Sequence, residues 1–413
     1  GLAAAGGMMA EFVLSMTLIP LGVYFLRHKT GLKTRSIEHS SPLHGRLEGF
    51  AGKIPGHRTL ILWGSAGLIL FSLVGASGIK VETNLLEYFK KSSHVYQDSE
   101  FIDQKLGGVE TIEVSLKAPQ PDHLLEPQGL DLLKQIEDYL NRQPIVSQVT
   151  SIGNFLREMN KAFHSEDEAY FRLPDSRAMA AQYLLLYDGD EIDNFIDGQR
   201  SWARISARIT EHRSGVIAEY INDLQIYLDE ITAGTAYQAR VTGKTLIANK
   251  LIRFIVTSQI QSLSLAFFLI LLLMFAIFRS FKLGLLAMIP NFLPILFNFA
   301  VMGFFGIPLN SATAIIAAVA IGIAVDDTIH FIWEYQDQRE SREPVTKAVQ
   351  LAVVNKGAPI VTTSLIMTGG FGILLFGSFV PTIQFGFLSA LIMLFAVISD
   401  LVVLPGLLLK FDA

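Results

Sequence analysis

The chain has 413 residues, 51% of them hydrophobic and only 17% charged, with a mean hydropathy of +0.41. That balance excludes an ordinary soluble domain, and the absence of cysteine removes disulfides, thiolate catalysis and cysteine-ligated metals. The formal net charge of -5 excludes little by itself, because the charges are segregated along the chain.

Residues 1–26 are apolar from the first position and read as the end of the last helix of a preceding half. No basic segment precedes them, so they do not read as a signal peptide. Residues 27–58 read as a linker, with Arg27, Lys29, Lys33, Arg35, Arg46, Lys53 and Arg58 against only Glu38 and Glu48. The positive-inside rule puts this linker in the cytoplasm. A transmembrane helix at 59–78 then crosses outward, and residues 79–257 form an extracytoplasmic domain. Five more spans are predicted at 258–278, 283–305, 309–333, 357–377 and 382–409, each close to the ~20 residues that cross a bilayer. The turns agree with this order. Those predicted inside carry Arg279 and Lys282, then Arg339, Arg342, Lys347 and Lys356, then Lys410; those predicted outside, 306–310 and 378–382, carry no Lys or Arg.

The outer domain is acidic and its pattern is α+β. Residues 109–117 (VETIEVSLK) alternate as a strand. Residues 128–141 have helical spacing, with Leu132, Leu133, Ile136 and Leu140 on one face. A second strand follows at 145–150. Further on, Ala203, Ile205, Ala207 and Ile209 alternate with Trp202, Arg204, Ser206 and Arg208; then come a helix around 216–230 and a strand at 237–242. The order β-α-β, insertion, β-α-β predicts a ferredoxin-like unit. The insertion, 151–199, carries Phe155, Met159 and Phe163 at helical spacing, as a lid packed on the sheet or as a contact for substrate.

Two stretches near the ends are alike: SMTLIPLGVYFLR at 15–27 and SDLVVLPGLLLKF at 399–411. Such similarity points to duplicated halves, a common construction of membrane transporters.

From Ala312 to Val325 there is no charge, and then GIAVDDTIHF (322–331) brings Asp326, Asp327 and His330. A charged Asp at the centre of a span costs about 2.5–3.5 kcal/mol, so the pair is expected to face the bundle interior. Two carboxylates this close in a low-dielectric site are not expected both to ionise, and such a pair can load and release a proton. Gly322, Asp326 and His330 fall on one stripe at i, i+4 and i+8, with Asp327 about 100° round the helix. Gly322 would let a neighbouring helix approach the carboxylates. The bland alternative is a water-exposed helix end kept for topology. His330 is a proton relay or a near-interface histidine partnered by a carboxylate. Asp400 is a gate, a packing residue or an interfacial one. Asn291, Pro294 and Asn298 kink the second of the five spans. Thr362, Thr363 and Ser364 pack helices or hydrogen-bond to the aspartates. Residues 344–355, with Val345, Ala348, Val349, Ala352 and Val353 on one face, read as a cytoplasmic amphipathic helix. No nucleophile–base pair or metal-ligand cluster stands in one segment, which argues against an enzyme, a metal and any cofactor beyond a proton gradient.

One span, an outer domain and five more spans resembles half of a resistance–nodulation–division (RND) superfamily protein. GIAVDDTIHF resembles that superfamily's mid-membrane aspartate motif, and Gly322-x-x-x-Asp326-Asp327 is similar to the GxxxDD signature of sterol-sensing-domain proteins such as Patched and Dispatched. NKGAPIVTTSLIMTGGFGILLFGSFVPTIQFGFLSALI (355–392) and NFLREMNKAF (154–163) resemble the bacterial MMPL-type exporters. The resemblance implies an RND-type helical bundle and proton-driven export of a lipid or other hydrophobic substrate, with Asp326 and Asp327 as proton carriers. It also implies a bacterial inner membrane with the large domain on the periplasmic side, a homo-oligomer, periplasmic accessory proteins and no nucleic acid. The chain departs from the related multidrug pumps in having no Lys between positions 283 and 346, and from the MMPL pattern in having Asp327 where Tyr usually follows Asp. Two other roles fit the same features: a sterol-sensing-like lipid sensor, and a proton-driven auxiliary motor for protein secretion.

Overall fold

The computed structural model describes residues 2–30, 42–81, 84, 86–187 and 190–412. The middle of the basic linker, 31–41, and Gly1 lie outside the described residues. Helix α1 (Leu2–Thr30) stands away from the bundle, its described side chains almost all exposed. Helix α2 (Pro42–Ala76) begins well before the predicted span, so residues 42–58 of the linker are helical. The reason is local amphipathicity: Leu47, Ala51 and Ile54 recur at helical spacing and are buried.

After α3 (His94–Leu106) the outer domain runs β1 (Glu110–Lys117), α4 (Pro127–Asn141), β2 (Val146–Thr150), α5 (Ile152–Phe163), α6 (Arg177–Leu186), β3 (Trp202–Ile209), α7 (Ser214–Thr232) and β4 (Gln238–Thr242). The strands form one antiparallel sheet in the order β2-β3-β1-β4, the ferredoxin-like arrangement expected from the element order. In β3, Ala203, Ile205, Ala207 and Ile209 point inward and are wholly buried, against Leu133, Ile136 and Leu140 of α4 and Leu224 and Leu228 of α7. The insertion packs on this unit as a helical layer. Phe155 lies against Tyr187 and Phe195, with ring centroids 5.8 and 5.6 Å apart. At the start of α5, the Ser151 hydroxyl and the Arg157 guanidinium both hydrogen-bond the buried Glu137 carboxylate of α4.

The membrane domain continues with α8 (Lys244–Phe278), α9 (Phe281–Phe305), α10 (Ser311–Glu340), α11 (Val345–Ile373) and α12 (Val380–Ile398); a π-helical turn (Ser399–Val403) leads into α13 (Leu404–Phe411). Among the described residues, seven helices are long and apolar enough to cross a membrane. Helices α9, α10 and α12 form the buried centre; α8 and α11 present most of their spans outward. The predicted amphipathic helix at 344–355 and the span at 357–377 are one continuous helix. Ala348, Val349, Ala352 and Val353 bury their face in the bundle core, so no surface-lying segment separates them. Helices α2 and α9 touch through glycines: a Cβ on Gly303 would lie 1.8 Å from the Gly75 carbonyl oxygen. The π turn precedes Pro405, which has no N–H to give the Leu401 carbonyl, so the regular bonding pattern cannot run through this point.

Candidate functional site

Successive residues on a helix point about 100° apart, and α10 sends its three consecutive polar residues to three different environments. Thr328 is fully buried against α9 and the π turn. Asp327 is half-buried toward α11, where the Ser364 hydroxyl lies 3.5 Å from its Oδ2, at the limit of a hydrogen bond. Asp326 points out of the bundle with 76% of its side chain exposed, beside His330 at 55%, and His330 Nε2 lies 3.5 Å from Asp326 Oδ1. The expectation that both aspartates face the interior therefore fails for Asp326. The buried face of α10 runs through Ile321, Ala324, Val325, Thr328, Phe331 and Ile332, and Asp326 falls on the opposite side of the helix. Gly322 is likewise open: among the described residues nothing lies within 4 Å of a Cβ built on it.

The interior is organised around Thr328. Its hydroxyl donates to Asp400 Oδ1 at 2.6 Å and lies 3.3 Å from Asn291 Oδ1. Asp400 sits in the π turn at 1% exposure, and Asn291 and Thr328 are at 0%. Among the described residues no Lys, Arg or His pairs with Asp400. A carboxyl so enclosed costs several kcal/mol as an unpaired ion, and one hydroxyl donor does not offset that. Asn291 also donates from Nδ2 to the Ala287 carbonyl at 2.7 Å, one turn back along α9, next to Pro290. Asn298 is buried two turns further on, and its Oδ1 has no partner among the described residues.

Thr362 and Thr363 do not reach into this cluster. Thr362 Oγ1 donates to the Ala358 carbonyl at 2.8 Å, and Thr363 Oγ1 bonds the Pro359 and Ile360 carbonyls at 3.1 and 3.0 Å. These are back-bonds within α11 on its outward side. The hydroxyls that approach Asp327 are those of Ser364 and Thr363. Of the predicted site residues, then, Asp326 and His330 pair on the outer face, and Asp327 lies between the faces, toward Ser364 and Thr363 of α11. Asp400 joins Thr328 inside. Thr328 was missed by sequence reasoning; the available signal was a hydroxyl on the otherwise apolar inward stripe of α10. The described residues contain no group of three or more His, Cys, Asp or Glu that could hold a metal ion.

Comparison with known proteins bears on the same region. Residues 201–411 match the MMPL family, a span that takes in β3, the whole bundle from α8 and all the residues above. A "Putative membrane protein MJ1562" of Methanocaldococcus jannaschii is 20% identical over 355 residues, covering 83% of this chain and 87% of that protein.

Proposed function

Since the chain belongs to the MMPL family of membrane transporters, we propose that it is a proton-driven exporter of lipids or other hydrophobic molecules. In this reading Asp400, Thr328 and Asp327 form the proton-carrying centre. The observation that carries it is the Thr328–Asp400 hydrogen bond at 2.6 Å, deep in a bundle whose described residues offer Asp400 no cation. A carboxyl in that setting exchanges a proton at little structural cost, because Thr328 Oγ1 can donate to the ionised form and accept from the neutral one. Asp327 stands next to Thr328 in sequence and half-faces α11, so the residue that holds Asp400 adjoins a carboxyl in other surroundings. Each inward proton supplies about 2.3 kcal/mol per 100 mV of membrane potential.

Asp326 and His330 take a separate role. A carboxylate and an imidazole exposed on a membrane-spanning helix call for a polar cover, and a second copy of this chain packed along the open Gly322 stripe provides one. The outer domain receives the substrate on the periplasmic side of a bacterial inner membrane, with accessory proteins beyond it.

The test is transport in sealed vesicles under an imposed proton gradient, together with a lipid inventory of the host's membranes. Wild type is compared with Asp400→Asn and Asp327→Asn at equal protein level. Gradient-dependent export that both variants abolish is the expected result. Lipid binding without any gradient dependence would replace this reading with the sensor, and altered protein secretion with unchanged lipids would replace it with the secretion motor.

A further inference from the structure

The interior of the bundle holds a series of buried polar atoms that the Thr328–Asp400 pair does not explain. Gln384 Oε1, Ser389 Oγ, Asn298 Oδ1 and Ser399 Oγ have no hydrogen-bond partner among the described residues, and Ser389, Asn298 and Ser399 are at 2, 3 and 2% exposure. Ser72 Oγ on α2 and Thr368 Oγ1 on α11 are also without a partner among the described residues, but the four above cluster on α9, α12 and the π turn around Asp400. Buried polar groups with no partner cost several kcal/mol each, so a bundle that keeps such a cluster has a use for it.

Their positions form a sequence through the membrane. At the outer surface a cavity of about 230 Å³ is bordered by Asn84, Glu87, Asn310 and Gln384, so the first of the four lines an opening to the outside. Ser389 lies five residues further in along α12, roughly 7.5 Å at the helical rise and about 140° round the helix, on its buried face beside Leu388 and Ile392. The stretch between Ser389 and Asp400 on α12 is apolar (Ile392, Met393, Ala396), but α9 covers that interval. Phe297 stacks on Phe395 with ring centroids 3.8 Å apart, which sets the neighbouring Asn298 at this depth. Asn291 follows on the same face of α9, about 10 Å deeper, and touches Thr328, which holds Asp400.

We propose that Gln384, Ser389, Asn298 and Asn291 line a hydrated file connecting the outer cavity at Glu87 to the Thr328–Asp400 pair. The ligand of this site is water, and the file is the route by which protons from the outer side reach Asp400. Amide and hydroxyl groups both donate and accept, so a water chain held between them can pass a proton by exchange of hydrogen bonds, with no charged side chain along the way. This rests on the proton-driven reading for its purpose, but the presence of the file is measurable without transport.

The chain has no cysteine, so single-cysteine variants report cleanly. Ser389→Cys, Ser399→Cys and Leu388→Cys are placed one at a time in sealed right-side-out vesicles. Silver ion is added outside, and its reaction is read as lost maleimide mass-tagging after denaturation. Leu388 is fully buried on the same helix and serves as the dry control. Ser389→Cys and Ser399→Cys are expected to react at least tenfold faster than Leu388→Cys. Adding Asn298→Leu should slow Ser399→Cys at least tenfold while leaving Ser389→Cys reactive, which also shows that the bundle still folds. Equal rates at Ser389→Cys and Leu388→Cys, or a Ser399→Cys rate indifferent to Asn298→Leu, would overturn the file. A reactive file in a protein whose export ignores the proton gradient would leave the file standing and remove the coupling.

Discussion

Glu137 in the outer domain and Asp400 in the membrane domain are almost equally buried, at 3% and 1% exposure, yet their surroundings differ in kind. Glu137 takes the Arg157 guanidinium and the Ser151 hydroxyl, so its charge is matched and its lone pairs are used. It ties α4 to the inserted helix α5. Among the described residues Asp400 has a single hydroxyl donor and no cation, in a turn where the helix already departs from regular bonding. Burial alone therefore says nothing about function. What separates a structural carboxylate from a working one is whether the fold supplies a permanent counter-charge.

The comparison can be broken by removing partners. Arg157→Ala strands the Glu137 charge and should cost about 3–5 kcal/mol of outer-domain stability. Amide exchange in α4 and α5 of the full chain would then speed up more than a hundredfold, and adding Glu137→Gln should recover much of the loss. Asp400→Asn should behave oppositely. The amide still accepts from Thr328, so stability by thermal unfolding in detergent should stay within about 1 kcal/mol, while gradient-driven transport falls at least tenfold. A several-kcal/mol loss from Asp400→Asn would make the two carboxyls alike and dissolve the distinction.

Smaller effects sharpen the outer-domain side. Tyr183 Oη donates to Asn160 Oδ1 at 2.9 Å, while the Asn160 amide donates to the Tyr170 and Arg172 carbonyls at 3.0 Å each. Tyr183→Phe removes one bond of a satisfied buried amide and should cost about 1–2 kcal/mol, read as faster exchange in α5 and α6. The smallest effect concerns acid. Glu211 is held down at about 2, first by its hydrogen bond from the Arg213 guanidinium and then by the Arg213 and His212 backbone N–H groups. A lowered folded-state value means that its contribution is fully present above the ordinary carboxylate range near 4.5 and is lost as pH falls through 2. Glu211→Gln should flatten the stability profile in that window and lower stability at neutral pH, where the contribution it removes is fully present.

Much of the fold was legible along the chain because its determinants are local. Alternation in 202–209, helical spacing in 128–141 and the element order around the insertion led to the ferredoxin-like sheet. Uncharged runs flanked by basic turns led to the membrane spans. Boundaries were less legible where two local signals run together. The amphipathic turns at 344–355 and the apolar run after them differ in polarity but not in backbone preference, so they fold as one helix.

The site divided along the same line. The presence of carboxylates inside a span is a fact of the sequence, and the cost of a charge in hydrocarbon makes Asp326, Asp327 and Asp400 candidates without any coordinates. Which of them is enclosed depends on the rotation of α10 against α9 and α12, to within a fraction of a turn, and periodicity along one helix cannot report its phase relative to its neighbours. Thr328 and Asp400 are 72 residues apart in the chain and 2.6 Å apart in space. Composition and spacing determined that this protein puts acid groups in a membrane. Only the packing of helices decided that Asp400 is the sealed one and Asp326 the open one, because a hydrogen bond between distant segments exists only where the tertiary fold brings its two halves together.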